Sequence, residues 1–239
     1  MNKARAIGIG LFCLCALFFA VLFTVMHRGG VSVPPAPAAH VDVASVRARA
    51  DAGEARAQWE LGGLYARGEG VKASYAEAAK WYRRGAEQGN ADAQAALGEL
   101  YQAGQGVPND LVAASKWFHL AAAQRNIRAQ YSLGFMCETG RGLPKDDVQA
   151  AKWYTLAAEQ GDPLAQYDLG QRYDLGVGVS VDRVEALKWL SLAAAQGQTD
   201  SAERLKKIKD KMTHKEISEA KRRVSSFSPS RLSAPSKEQ

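Results

Sequence analysis

The sequence has little of what a disulfide-stapled domain or a metal site requires. Only three of its 239 residues are cysteine, and Cys137 is the one that lies outside an apolar run near the N-terminus. A disulfide framework is therefore excluded. The four histidines are scattered, and none stands at ligand spacing from a cysteine or a carboxylate. We therefore predict no metal site and no cofactor.

The sequence also lacks any recognisable set of catalytic residues. Its Gly-x-Gly pairs follow predicted helices rather than strands and lack a third glycine, so they are typical of helix ends and not of phosphate loops. The one Ser-x-x-Lys motif, Ser218 to Lys221, has none of the partner motifs that a penicilloyl-serine enzyme needs. We predict no catalytic residue and a protein that is not an enzyme.

Long apolar runs are absent except near the N-terminus, where residues 6–26 carry no charge. As a helix this run would be roughly 31 Å long, at about 1.5 Å per residue, which matches the core of a bilayer. We expect residues 1–28 to form an uncleaved membrane anchor with its N-terminus in the cytoplasm, so that the rest faces the periplasm or the outside. A cleaved signal that releases the protein to the periplasm, and lipidation, are the alternatives. Residues 29–40 are rich in proline and glycine and predict a linker.

What the sequence does have is one unit of 36 residues that occurs four times. Each unit predicts two helices, because apolar residues recur at helical spacing on both sides of the glycine pair. The first glycine of each pair is expected to end the first helix in a left-handed conformation: Gly68, Gly104, Gly140 and Gly176. A tryptophan recurs in every second helix and is expected to pack in the core: Trp81, Trp117, Trp153 and Trp189.

Three further features of the unit predict how the helices begin, end and pack. Ser74, Asp146 and Asp182 each precede Glu or Gln by three residues, as Thr213 precedes Glu216, which predicts capping boxes. A glycine inside each first helix predicts a close crossing by another helix: Gly62, Gly98, Gly134 and Gly170. Arg125 stands where the other units have a glycine after the second helix, so a strained or different end is expected there.

The pattern Ala-x-Ala-Gln-x-x-Leu-Gly-x-x-Tyr-x-x-Gly-x-Gly-Val, followed by Asp-x-x-x-Ala-x-Lys-Trp-Tyr, resembles the Sel1-like repeat, a relative of the tetratricopeptide repeat. The resemblance implies an all-α solenoid of helix-turn-helix repeats, here preceded by one transmembrane helix. The units are 55–90, 91–126, 127–162 and 163–198, within a repeat domain at 41–226. The degenerate segments 41–52 and 199–224 are expected to cap the array as half-repeats, and residues 227–239 to be disordered.

Positions that are identical in every unit serve the stack, whereas positions that vary are free to bind a partner. In tetratricopeptide-like arrays the first helices line the concave face, and a stripe of aromatic and acidic residues varies there. We predict partner contacts at Trp59, Glu99, Tyr131, Phe135, Glu138, Tyr167 and Arg172. The alternative is that Trp59, Tyr131 and Tyr167, the three aromatic residues at one repeat position, only fill the interface between adjacent units.

The resemblance implies a non-catalytic scaffold that binds a protein or peptide in the concave groove, at the membrane or cell envelope. The alternative is a repeat protein that binds or hydrolyses cell-wall fragments or β-lactams. The paired cysteines of the family members linked to β-lactam binding are missing here, which argues against it.

Finally, residues 203–223 contain nine Lys or Arg against four Asp or Glu. This segment predicts a solvated capping face or contact with anionic lipids, and no nucleic acid, because aromatic residues are not interleaved.

Overall fold

The computed structural model describes residues 42–229. The predicted anchor at 1–28, the linker at 29–40 and residues 230–239 of the predicted tail lie outside the described residues. Within residues 42–229, none of the helices combines the length and the apolar character that crossing a membrane requires.

Eleven α-helices and no strand make up the described part of the chain, which confirms the predicted all-α solenoid. Helix α1 precedes the repeats, and α10 and α11 follow them. Each unit contributes a first and a second helix. Their bounds are α1 Val43–Asp51, α2 Ala55–Arg67, α3 Tyr75–Glu87, α4 Ala91–Ala103, α5 Leu111–Ala123, α6 Ile127–Thr139, α7 Asp147–Glu159, α8 Pro163–Leu175, α9 Arg183–Ala195, α10 Asp200–Lys209 and α11 His214–Ser225.

Most of the helices begin on a side-chain cap, and each first helix ends on glycine. Asn90, for example, accepts a hydrogen bond from the Ala93 amide at 2.8 Å, which satisfies one of the amides that a helix start leaves without a partner. The glycine after each first helix has a φ of about 70°, and its amide donates to the carbonyl four residues earlier: Gly68, Gly104, Gly140 and Gly176.

The predicted capping boxes form only in part. The side chains of Ser74, Asp146 and Asp182 accept from the amide three residues on. The complete reciprocal box, however, is found among the described helices only at Thr213 and Glu216, which opens α11. In units one and four the glutamate turns to a cation instead, as in the 2.7 Å ion pair between Glu77 and Lys80. A nearby ammonium group offers that carboxylate a charged donor, which is stronger than a neutral amide.

The glycine inside each first helix lies where another helix crosses closely, as the sequence predicted. A Cβ added at Gly98 would lie 2.7 Å from the Phe118 ring on the second helix of the same unit. The same close approach recurs at the equivalent position of the other units, against Tyr82, Tyr154 and Leu190. Helix pairs within a unit therefore cross more closely than a side chain at this position would allow.

The recurring tryptophans all pack against the apolar clusters between helices. Trp81 and Trp189 are buried, whereas Trp117 and Trp153 are half-buried. His119 of the preceding unit meets the Trp153 ring edge-on, with ring centroids 5.8 Å apart. All four tryptophan rings therefore pack against other residues of this chain.

The C-terminal end extends further over the array than the sequence indicated. Helices α10 and α11 both pack on α9. The predicted disordered tail begins at 227, but Phe227 packs edge-on against Trp189, with ring centroids 5.5 Å apart. Lys188 lies 4.0 Å from the centroid of the same tryptophan. Phe227 of the predicted tail therefore makes an aromatic contact with unit four.

Candidate functional site

A cavity of about 640 Å³ opens between units one and two on the face formed by the first helices. We call it the first-helix groove. Its apolar lining comes chiefly from α2 and α4: Trp59, Gly63, Leu64, Ala66, Ala96 and Leu100. Its volume is in the range of ordinary binding pockets and exceeds that of a single side chain.

Charged side chains surround this apolar lining, and they are paired with one another. Arg128 donates to Glu99 at 3.2 Å and lies 4.0 Å from Asp92. Burial raises the pKa of Glu99, although Arg128 opposes the shift. Arg67 pairs with Glu69 at 2.7 Å. The groove therefore combines an apolar floor with a polar rim, the arrangement found in protein interfaces.

Two adjacent glycines of α2 differ in what surrounds them. A Cβ on Gly62 would lie 2.5 Å from a carbon of the Tyr82 ring, so packing requires a glycine there. A Cβ on Gly63 would meet only the end of the Arg67 side chain, with the nearest atom at 3.0 Å. Because that side chain can move, packing does not require Gly63, and its main effect is to leave the groove open.

A second polar cluster connects units three and four. The Tyr131 hydroxyl donates to Asp168 at 3.1 Å, and the Tyr154 hydroxyl donates to Glu138 at 2.7 Å. The guanidinium of Arg172 lies 3.0 Å from Glu138 and 3.4 Å from Asp147. One cation thus lies among three carboxylates, which leaves the cluster negative when all of them are ionised.

Burial shapes the electrostatics of this second cluster. Desolvation raises the pKa of Asp168 to about 6, although the Tyr131 hydroxyl lowers it. Desolvation also raises the phenol pKa of Tyr131 and of Tyr154, and the neighbouring carboxylates add to both shifts. Both tyrosines are therefore held as neutral hydrogen-bond donors.

The structure places five of the seven predicted partner-binding residues in two groups. Trp59 and Glu99 line the first-helix groove. Tyr131, Glu138 and Arg172 belong to the second cluster. Phe135 is half-buried, and the Tyr167 hydroxyl accepts from Arg204 at 3.3 Å. Tyr167 therefore contacts the C-terminal cap, in keeping with the alternative of padding at that position.

Arg172 differs from the expectation of a residue on the groove surface. Its side chain is 4% exposed, and it occupies the position of buried apolar residues in the other units: Leu64, Leu100 and Met136. Asp147 and Asp168, which complete the cluster around it, were not among the residues predicted from the sequence. The signal was available, because an arginine stood where the other three units have Leu or Met.

No group of three or more His, Cys, Asp or Glu suited to holding a metal ion occurs in the described residues. Cys137 is buried and is not in a disulfide, and burial raises its pKa, which disfavours the reactive thiolate.

Comparison with solved structures finds relatives of the same fold. A Sel1 repeat protein from Oxalobacter formigenes is 37% identical, with a TM-score of 0.66, over 70% of this chain. The protective antigen c5321 of uropathogenic Escherichia coli, which has an SLR fold, is 30% identical, with a TM-score of 0.53, over 77% of this chain. The alignments cover 48% of the length of each of these two relatives. Comparison with curated proteins finds no significant match.

The family model of the Sel1 repeat matches four consecutive segments, 55–90, 91–126, 127–162 and 163–198. These segments are the four pairs of helices from α2 to α9, each with its glycine turn and its cap. With more than half of its residues matched, unit for unit, the chain belongs to the Sel1 repeat family.

Proposed function

We propose that this protein is a non-catalytic scaffold that holds a segment of a partner protein in the first-helix groove. Sel1 repeat proteins generally mediate protein–protein interaction, and the finer proposal concerns where the partner binds. An envelope location is part of the proposal and rests on the apolar run at 6–26.

The observation that carries the proposal is the open space beside Gly63. In units three and four the position of Gly63 is occupied by the larger Phe135 and Gln171, and the position of Ala66 by Glu138 and Asp174. A glycine in a helix costs about 1 kcal/mol relative to alanine, and packing gives no reason for that cost at this position. Retaining an opening lined by Trp59 and Leu100 is a sufficient reason, because a buried aromatic or aliphatic anchor is how such grooves hold a ligand.

The test is to fill the groove with a side chain that the same fold already tolerates. Gly63→Phe introduces the residue that unit three carries at this position, and Gly63→Ala is the matched control that adds only one methyl group. Full-length wild-type and variant chains would be cross-linked in cells of the native organism and recovered, and their partners measured by quantitative mass spectrometry.

We expect partners recovered with the wild type and with Gly63→Ala to fall at least tenfold with Gly63→Phe. Circular dichroism and the melting temperature should show that all three chains are folded. Equal recovery of the same partners by folded Gly63→Phe would show that the groove is not the binding site.

A further inference from the structure

The face that forms the first-helix groove continues into units three and four. Because the units repeat every 36 residues, Glu60 and Ala66 of α2, which line the groove, correspond to Asp168 and Asp174 of α8. In α6 the counterpart of Ala66 is Glu138. The acid at the Glu60 position is therefore present in unit four as well, and the face gains further carboxylates where Ala66 is replaced by Glu138 and Asp174.

The acidic part carries more negative charge than its one buried cation balances. Arg172 lies within ion-pair distance of Glu138 and Asp147, while Asp168 accepts a hydrogen bond from the Tyr131 hydroxyl. Glu138 keeps 43% of its side chain exposed, so this carboxylate is accessible from the groove face.

Stability does not explain why this cluster is charged. The other units fill the place of Arg172 with Leu64, Leu100 and Met136, and replacing a buried ion network by apolar side chains is often neutral or stabilising. Charged groups across an interface instead select the partner and fix its register. The network holds Glu138 and Asp168 in place through hydrogen bonds from two tyrosines, so the carboxylates are preorganised for a cation.

We propose that the partner segment carries an apolar side chain for the first-helix groove and a lysine or arginine for the carboxylates of Glu138 and Asp168. This inference rests on the proposed function, because it names the chemistry of the segment bound there. Packed helices lie about 8–10 Å apart, so two units correspond to roughly 20 Å. An extended chain covers that distance in about six residues, which sets the separation between the two side chains.

The test is selection of a random library of twelve-residue peptides displayed on phage, using the full-length chain as bait. Three baits are compared: the wild type, Gly63→Phe, and the double variant Glu138→Gln with Asp168→Asn. The amides keep the size of the carboxylates and can still accept from the tyrosine hydroxyls, so the double variant removes charge and little else.

We expect peptides selected on the wild type to pair an aromatic or aliphatic residue with Lys or Arg about six positions away. The double variant should keep the apolar preference and lose the basic one, and Gly63→Phe should lose both. For one selected peptide, synthesised and labelled, Lys→Glu should weaken binding at least tenfold on the wild type and less than threefold on the double variant.

Other outcomes separate the two proposals. Apolar selection with no basic preference, or a basic preference that survives in the double variant, overturns this inference and leaves the groove as a binding site. Selection that is the same on the wild type and Gly63→Phe, or absent from both, overturns the proposed function as well. The same variants also test the basic segment at 203–223 of a second copy as the occupant. Sedimentation tests this: if the wild type forms concentration-dependent dimers and the double variant does not, the carboxylates bind the second copy. That result would overturn the proposal that they bind a separate partner.

Discussion

Substitution of the adjacent glycines of α2 by alanine should have opposite effects on stability. Alanine is favoured over glycine in a helix by about 1 kcal/mol, and this gain is the same at both positions. At Gly62 the new methyl group would lie 2.5 Å and 2.6 Å from two carbons of the Tyr82 ring, which is 7% exposed and cannot move freely. Overpacking of this kind costs about 1–3 kcal/mol.

At Gly63 the new methyl group would meet the guanidinium end of Arg67, which can turn aside. We therefore expect Gly63→Ala to stabilise the protein by about 0.5–1 kcal/mol and Gly62→Ala to destabilise it by about 1 kcal/mol. Because the helix-propensity gain cancels between the two variants, their difference isolates the packing cost. That difference should be about 1–3 kcal/mol.

Urea unfolding, followed both by circular dichroism and by tryptophan fluorescence, measures this difference directly. The two probes must give the same midpoint, since an array of repeats can unfold in parts. In thermal unfolding the same difference corresponds to about 2–4 °C for each kcal/mol. If both variants stabilise the protein equally, the close helix crossing does not explain the glycine at 62, and the contrast that supports an open groove at 63 is lost.

Three further predictions concern single positions. Arg125 has φ 64°, so Arg125→Gly should stabilise the protein by about 1 kcal/mol in urea unfolding. Gly89 has φ 88° and free space for a Cβ, so Gly89→Ala should destabilise the protein by a similar amount. Phe227→Ala should cost about 1–2 kcal/mol and shift Trp189 fluorescence, because it removes an edge-to-face ring contact. Burial raises the pKa of Asp168 from 3.8 to about 6, so its folded form holds a proton that the unfolded chain has released. The stability it contributes below pH 4 is lost as the pH rises through 6, and Asp168→Asn should flatten that part of the unfolding profile.

The repeated part of the fold was predictable because four copies of one unit were present in the sequence. A glycine that occurs once in a helix could have any cause, but the same glycine at Gly62, Gly98, Gly134 and Gly170 indicates a shared contact, and the structure shows that contact. The helix ends were equally predictable, because the left-handed glycine follows from local geometry alone. Arg125, the exception among those ends, does adopt a positive φ.

What the sequence could not show depends on contacts between distant residues. Glu77 pairs with Lys80 rather than closing a capping box, because two local partners compete for one carboxylate. Phe227 lay in a segment with the composition of a tail, and only the path of α11 brings it against Trp189. The grouping of Glu138, Asp147 and Asp168 around Arg172 required the register between neighbouring units as well as the identity of the residues.

The departures from the repeat affect the first helices in two opposite ways. In units one and two, small residues such as Gly63 and Ala96 leave the first-helix groove open. In units three and four, Phe135, Glu138 and Asp168 fill the corresponding positions, and the charged ones are held by tyrosine hydroxyls. The contact between each first helix and its own second helix stays the same in kind, because it depends on the inner glycine and on the residue that faces it. One face of the array can therefore gain carboxylates toward units three and four while every unit keeps its packing, and such a face can distinguish the two ends of a bound segment.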